Sequence, residues 1–154
     1  MCLEVVRHPG AVTVLPVIDE ATIVLIRNDR PAVGKTLWEL PAGTLEAGED
    51  PAKCAARELT EEAGYSAGRI EPLGAFFTTP GMTDEFMRAF AAFDLTSVGQ
   101  RLERDERITV ETMPVARALA LLDTGELQDA KSMLTLLLAL RKGLLSPGAR
   151  EQAL

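Results

Sequence analysis

The first third of the chain alternates short apolar, β-branched runs with polar breaks. Residues 11–17 (AVTVLPV) and 21–26 (ATIVLI) predict two strands, separated by Asp19 and Glu20. Pro16 lacks an amide proton, so part of the first run is expected at an edge or a bulge. Residues 27–35 are polar and hold Pro31 and Gly34, which predicts a loop. A short strand over 36–40 ends at Pro41-Ala42-Gly43, and 43–50 reads as a second loop. The clearest helix start follows. Asp50 is a good N-cap, Pro51 suits the first helical position and Gly64 can stop the helix in a left-handed cap, so 51–63 is predicted helical. Strands are expected over 70–77, 86–95 and 108–113, with Thr79-Pro80-Gly81 in the loop between the first two. Helices are expected over 114–122 and 129–141. The order β-β-β-α-β-β-β-α-α predicts an α/β fold with a mixed sheet packed between helices.

On a wheel of about 100° per residue, Ala52, Ala55, Ala56, Leu59 and Ala63 share one face of the central helix. Small side chains there allow close packing on a sheet. Glu58, Glu61 and Glu62 stand beside that face at i, i+3 and i+4, where like charges crowd and destabilise a helix in water. A solvated acidic face is one reading. The other is a hard divalent cation, which prefers oxygen ligands and bridges carboxylates to phosphates. Arg57 flanks the acids and can reach back to Glu49 in the preceding loop.

Composition narrows the choices. The 154 residues, 47% of them hydrophobic, fit a single domain that buries about two-thirds of its surface. A single domain is expected over 1–145, with a loose tail over 146–154. The net charge of −7 disfavours a nucleic-acid partner and suggests that any phosphate substrate arrives with a metal. Two cysteines make neither a disulfide framework nor a zinc site, which points to a reducing, cytoplasmic setting. The N-terminus has no signal-peptide pattern, and the longest apolar stretch, 133–140, is far short of the ~20 residues of a membrane span.

The segment 43–65, GTLEAGEDPAKCAARELTEEAGY, resembles the Nudix hydrolase box, Gly-x5-Glu-x7-Arg-Glu-U-x-Glu-Glu-x-Gly-U. The matching residues are Gly43, Glu49, Arg57, Glu58, Leu59, Glu61, Glu62, Gly64 and Tyr65; only Tyr65 departs, where an aliphatic residue is more usual. The resemblance implies the Nudix α/β/α sandwich and Mg²⁺-dependent hydrolysis of a nucleoside diphosphate derivative, with Mn²⁺ a possible substitute. It implies metal binding by Glu58, Glu61 and Glu62, the first and last most directly, and by the backbone carbonyl of Ala42. It gives Gly43, Glu49, Arg57 and Gly64 structural roles.

Further matches resemble the ADP-ribose pyrophosphatase branch of that family. They are His8-Pro9-Gly10, Leu37-Trp38-Glu39-Leu40-Pro41-Ala42-Gly43, Thr79-Pro80-Gly81, Gly125-Glu126 and Asp129-Ala130-Lys131-Ser132. Pro80, fifteen residues beyond the box, is that branch's substrate marker. The chain departs from the branch at Phe76-Phe77-Thr78-Thr79, where a tyrosine and a serine are usual, and at Asn28-Asp29-Arg30, where Gln-Tyr-Arg is common. The implied reaction is attack of a metal-activated water on the pyrophosphate of ADP-ribose, giving AMP and ribose 5-phosphate. The proton acceptor is expected at Glu106, then Glu103, or at Glu61 within the box. Arg27, Arg30 and Glu39 are candidates for holding phosphate or ribose, with Pro80, Gly81 and Glu85 also at the substrate. A homodimer is the family expectation.

His8 and Trp38, each the sole residue of its type, are expected to be structural, and Cys54 a buried thiol. Two rival functions remain. One is hydrolysis of other nucleotide sugars or dinucleoside polyphosphates. The other is a non-catalytic Nudix-fold ligand-binding module, against which the intact set Glu58, Glu61 and Glu62 argues.

Overall fold

A computed structural model describes residues 4–148. Its seven strands are β1 (Ala11–Asp19), β2 (Thr22–Arg30), β3 (Lys35–Glu39), β4 (Ala42–Thr44), β5 (Tyr65–Phe77), β6 (Phe86–Ser97) and β7 (Ile108–Pro114). The helices are α1 (Pro51–Glu58), continued by a wider π turn over Leu59–Ala63, then α2 (Val115–Asp123) and α3 (Ala130–Arg141). Strands run in the order β3-β2-β1-β6-β5, with β4 paired to β1 and β7 to β2. Among the described strands only β1 and β6 pair in parallel, from Ala11 beside Met87 to Pro16 beside Ala92. The sheet is therefore mixed, and helices cover both faces.

The alternation of β1 explains the layering. Val12 and Val14 point to a core shared with Ala55 and Leu59 of the central helix. Leu15 and Val17 point the other way, to a core with Trp38, Val115 and Leu136. A strand buried on both faces reads as an unbroken apolar run, as this one does. Pro16 is accordingly not on an edge strand. It lies between the stretch of β1 that pairs with β4 (11–13) and the stretch that pairs with β2 (17–19), and the register shift comes after it, at 17–19. The missing amide costs least where the neighbour changes.

Other expectations are corrected. β2 runs on through Arg30 and β3 starts at Lys35, so only 31–34 of the loop expected over 27–35 lie outside strands. The helix over 51–63 keeps its expected bounds, while its last five residues widen into the π turn. β5 begins at Tyr65, five residues early, because Gly64 turns the chain directly into it. Residues 42–44 form a short strand rather than a loop, held antiparallel to the start of β1. At the C-terminus Leu145 is buried and the Ser146 amide donates to the Glu20 carbonyl at 2.6 Å. The rest of the expected tail, 149–154, lies outside the described residues.

Candidate active site

Arg57 organises the loop before α1. Its Nε and Nη2 donate to the two carboxylate oxygens of Glu49 at 3.0 and 3.1 Å. The same guanidinium reaches the Thr44 carbonyl at 3.3 Å, Glu58 at 2.7 Å and Glu61 at 3.0 Å. Glu49 in turn accepts from the Glu46 amide. The Arg57 guanidinium and that amide hold the Glu49 carboxyl down at about 2. Cys54 lies beneath, 3.3 Å from Arg57, and burial pushes its thiol up to about 12, which leaves it protonated and unreactive.

The three acids of the helix part company. Glu58 and Glu62 are buried, whereas Glu61 stays partly exposed on Arg57. Glu62 accepts from the Ala42 amide at 2.8 Å. Glu58 fills the space over Gly43, where an added Cβ would sit 1.9 Å from its Oε1. Burial raises both carboxyls, Glu62 to about 8. In Glu62 the Ala42 hydrogen bond opposes the rise, while the charges of Glu58 and Glu106 add to it. Glu58 shares the one guanidinium of Arg57 with Glu49 and Glu61, and no described cation pairs with Glu62. The two buried acids flanking this backbone turn therefore keep an excess of hard-oxygen negative charge that suits a divalent cation. Among the described residues no three acids converge tightly enough to enclose one alone. A backbone carbonyl, water and substrate oxygens would complete the shell, as is common for Mg²⁺.

Glu62, Ala42 and Gly43 line a cavity of about 860 Å³, large enough for a nucleotide-sized ligand. Arg30, Glu85 and Glu106 line it too. Glu106 accepts from the Glu103 amide at 2.8 Å; the Glu103 side chain is exposed and lies outside the lining. The structure thus separates two acids that the sequence left together. Arg27 is also apart: its guanidinium stacks 4.8 Å from the Trp38 ring centroid, at the edge of the core. Glu39 is buried behind the wall, where Arg30 grips it through Nε and Nη2 at 2.8 and 2.7 Å. Pro80 and Gly81 sit exposed at a turn tip; their neighbours Thr78 and Thr79 reach the cavity.

Glu85 is fixed from behind. It accepts from the Thr78 hydroxyl at 2.6 Å, and His8 Nε2 stands 3.6 Å away. His8 Nδ1 accepts from the Gly10 amide, so its proton is on the Glu85 side. The His8 amide and the Arg7 side chain both donate to Asp84 at 2.8 Å. The segment 6–8 thus straps the 78–85 loop.

A family model described as NUDIX domain matches residues 7–136. The chain belongs to the Nudix family. This Nudix chain is 44% identical to the ADP-ribose pyrophosphatase of Bacillus subtilis (strain 168) over 131 residues, covering 84% of itself and 71% of that protein. It is 37% identical to the methanol dehydrogenase activator of Bacillus methanolicus over 133 residues, 85% of itself and 72% of that protein. A solved structure, the crystal structure of an ADP compounds hydrolase, superposes with a TM-score of 0.78 at 25% identity, over 88% of this chain and 72% of that one. The chain has the Nudix α/β/α sandwich and lies among the hydrolases of that family.

Sequence reasoning assigned no chemistry to Asn28, Thr78, Arg107, Asp129 or Lys131, which line the Nudix cavity. Asp129 and Lys131 stood in a segment already noticed for its resemblance. Asn28 and Thr78 stood in the two stretches where the chain departs from that branch, and Arg107 carried no signal of its own; the three meet only when strands distant in sequence are aligned.

Proposed function

We propose that this Nudix chain hydrolyses the pyrophosphate bond of ADP-ribose, adding water to give AMP and ribose 5-phosphate. The observation that carries the reading is buried Glu62 on the Ala42 amide, with buried Glu58 packed against Gly43 beside it, in a cavity that also presents Arg30 and Glu106. The likeness to an ADP-ribose pyrophosphatase over most of the chain supports the substrate. Glu58, Glu62 and the Ala42 carbonyl would hold Mg²⁺, or Mn²⁺ in its place, with Glu61 adjoining. The chemistry such an ion supplies is neutralisation of phosphate charge and acidification of a water. Glu106 faces the cavity with one oxygen held by the Glu103 amide, and is placed to take the proton. Arg30, oriented by buried Glu39, offers its remaining guanidinium protons to a phosphate. Thr78, Thr79 and Glu85 face the same space, and Pro80 with Gly81 shapes the turn that presents them.

We also infer a homodimer in the cytoplasm. No described helix is long and apolar enough to cross a membrane.

One observation favours a second substrate class. No aromatic side chain lines the cavity among the described residues, so no stacking surface within the chain selects a particular base. Other nucleotide sugars are therefore included in the test. Turnover of ADP-ribose, GDP-mannose, UDP-glucose and diadenosine polyphosphate is measured with Mg²⁺ and with chelator, and products are identified. Metal-dependent AMP release, preferentially from ADP-ribose, is expected. Preference for another compound would replace the substrate, and absence of turnover with both Mg²⁺ and Mn²⁺ would remove the hydrolase reading.

A further inference from the structure

We propose that Lys131 is a phosphate-binding residue, which with Arg30 forms a two-cation clamp on the substrate's pyrophosphate. The proposal rests on the pyrophosphatase reading above. Lys131 is the second residue of α3, and its side chain is only 15% exposed, yet it lines the cavity. Its ammonium donates to Glu39 Oε2 at 3.2 Å and to Asp129 Oδ1 at 2.8 Å. An ammonium has three donors. The third has no partner among the described residues.

Two features separate this arrangement from simple charge neutralisation. Glu39 is 1% exposed and already receives two hydrogen bonds from Arg30, so a second cation on it is more than pairing requires. Asp129 is also committed, since its other oxygen caps α3 through the Ser132 amide at 3.1 Å and accepts from the Ser132 hydroxyl. That hydroxyl accepts the Leu40 amide at 2.7 Å, tying the start of α3 to the residue after Glu39. Lys131 is thereby held by a buried network rather than by its own flexible stem.

The geometry has a direct consequence. Arg30 Nη2 and Lys131 Nζ touch the same oxygen of Glu39, at 2.7 and 3.2 Å. They are close enough to be bridged by the oxygens of one phosphate group. Both line the cavity that Glu62 also lines. A pyrophosphate bound there would be within reach of this clamp as well as of the acids that would hold a divalent ion. Glu39 is the positioning residue that holds both cations.

The test compares wild type, Lys131→Gln and Lys131→Arg. Affinity for methylenediphosphonate, a pyrophosphate mimic that resists hydrolysis, is measured calorimetrically in constant Mg²⁺. Losing one charged hydrogen bond should weaken binding about tenfold or more in Lys131→Gln, with Lys131→Arg within about threefold of wild type. In turnover, KM for ADP-ribose should rise by about the same factor while kcat stays within about threefold. Thermal melting of each variant reports the structural share separately. Equal diphosphonate affinity in wild type and Lys131→Gln, whatever the melting temperature does, would overturn the clamp; so would a wild type that does not bind the mimic. If no nucleotide is turned over but Lys131→Gln still loses the diphosphonate, the substrate reading falls and the clamp stands.

Discussion

Glu62 is buried against the Ala42 amide, and burial raises its carboxyl from 4.5 to about 8. The native state then keeps a proton that the unfolded chain has lost. Stability contributed by this group is present below about 4.5 and declines as pH rises towards about 8. Glu58 acts in the same direction. Glu49, held down at about 2, acts oppositely: its contribution is present above 4.5 and fades as pH falls towards 2. Melting of the metal-free protein between pH 5 and pH 8 should therefore show a downward slope, and Glu62→Gln should flatten it and abolish its reversal by Mg²⁺. An unchanged slope in the variant would mean that Glu62 is ionised throughout. Gly43 gives a second test at this scale. An added Cβ would meet only the end of the flexible Glu58 side chain, which can swing away. Gly43→Ala should cost activity severely and stability little, as read by turnover and melting on one preparation.

At the scale of elements, the helix from Pro51 to Ala63 was legible in advance and its final turn was not. Asp50 accepts from the Ala52 and Lys53 amides, as an N-cap should. Gly64 ends the helix at φ +74°. The widening over Leu59–Ala63 depends on what the last turn must meet. There the Gln100 side chain donates to the Glu62 carbonyl, the Arg101 amide donates to the Glu61 carbonyl, and the Val98 and Gly99 amides donate to the Gly64 carbonyl. A Cβ on Gly64 would lie 2.8 Å from the Gln100 nitrogen and 2.9 Å from the Gly99 carbonyl carbon, which are backbone atoms that cannot step aside. Gly64→Ala should therefore lower stability by about 1–3 kcal/mol or more, the reverse of the Gly43 outcome. Denaturant melts of the two variants side by side decide it. The box pattern requires both glycines without saying why; one makes room for a side chain and the other for a backbone.

The whole molecule decides which acids face the cavity. Glu103, Asp105 and Glu106 share one short charged segment, and local sequence ranks them poorly. The fold turns Asp105 and Glu106 into the cavity and leaves Glu103 outside, using only the Glu103 amide to hold Glu106. Glu106→Gln is expected to lower kcat by about 10²–10⁴-fold, as loss of a general base does, with Glu103→Gln near wild type. Equal losses, or none, would move the proton acceptor elsewhere. The strap over the 78–85 loop is also a long-range effect, joining residues more than seventy positions apart. Asp84→Asn should loosen Glu85 and raise KM about fivefold, the worth of roughly one hydrogen bond of 1 kcal/mol, with kcat unaffected. Unchanged steady-state kinetics would show that the strap supports only the loop.

By itself the sequence determined the layering, the central helix and the box residues. These depend on local periodicity, capping and spacing, which act over at most a few turns of chain. The tertiary structure alone decided that Arg27 stacks on Trp38 while Arg30 faces the cavity, that Glu106 enters and Glu103 does not, and that Lys131 joins Arg30 on Glu39. Each depends on the facing of a strand, the turning of a loop or the approach of α3. Those are fixed only when distant segments compete to bury the same apolar faces and to pair the same buried charges.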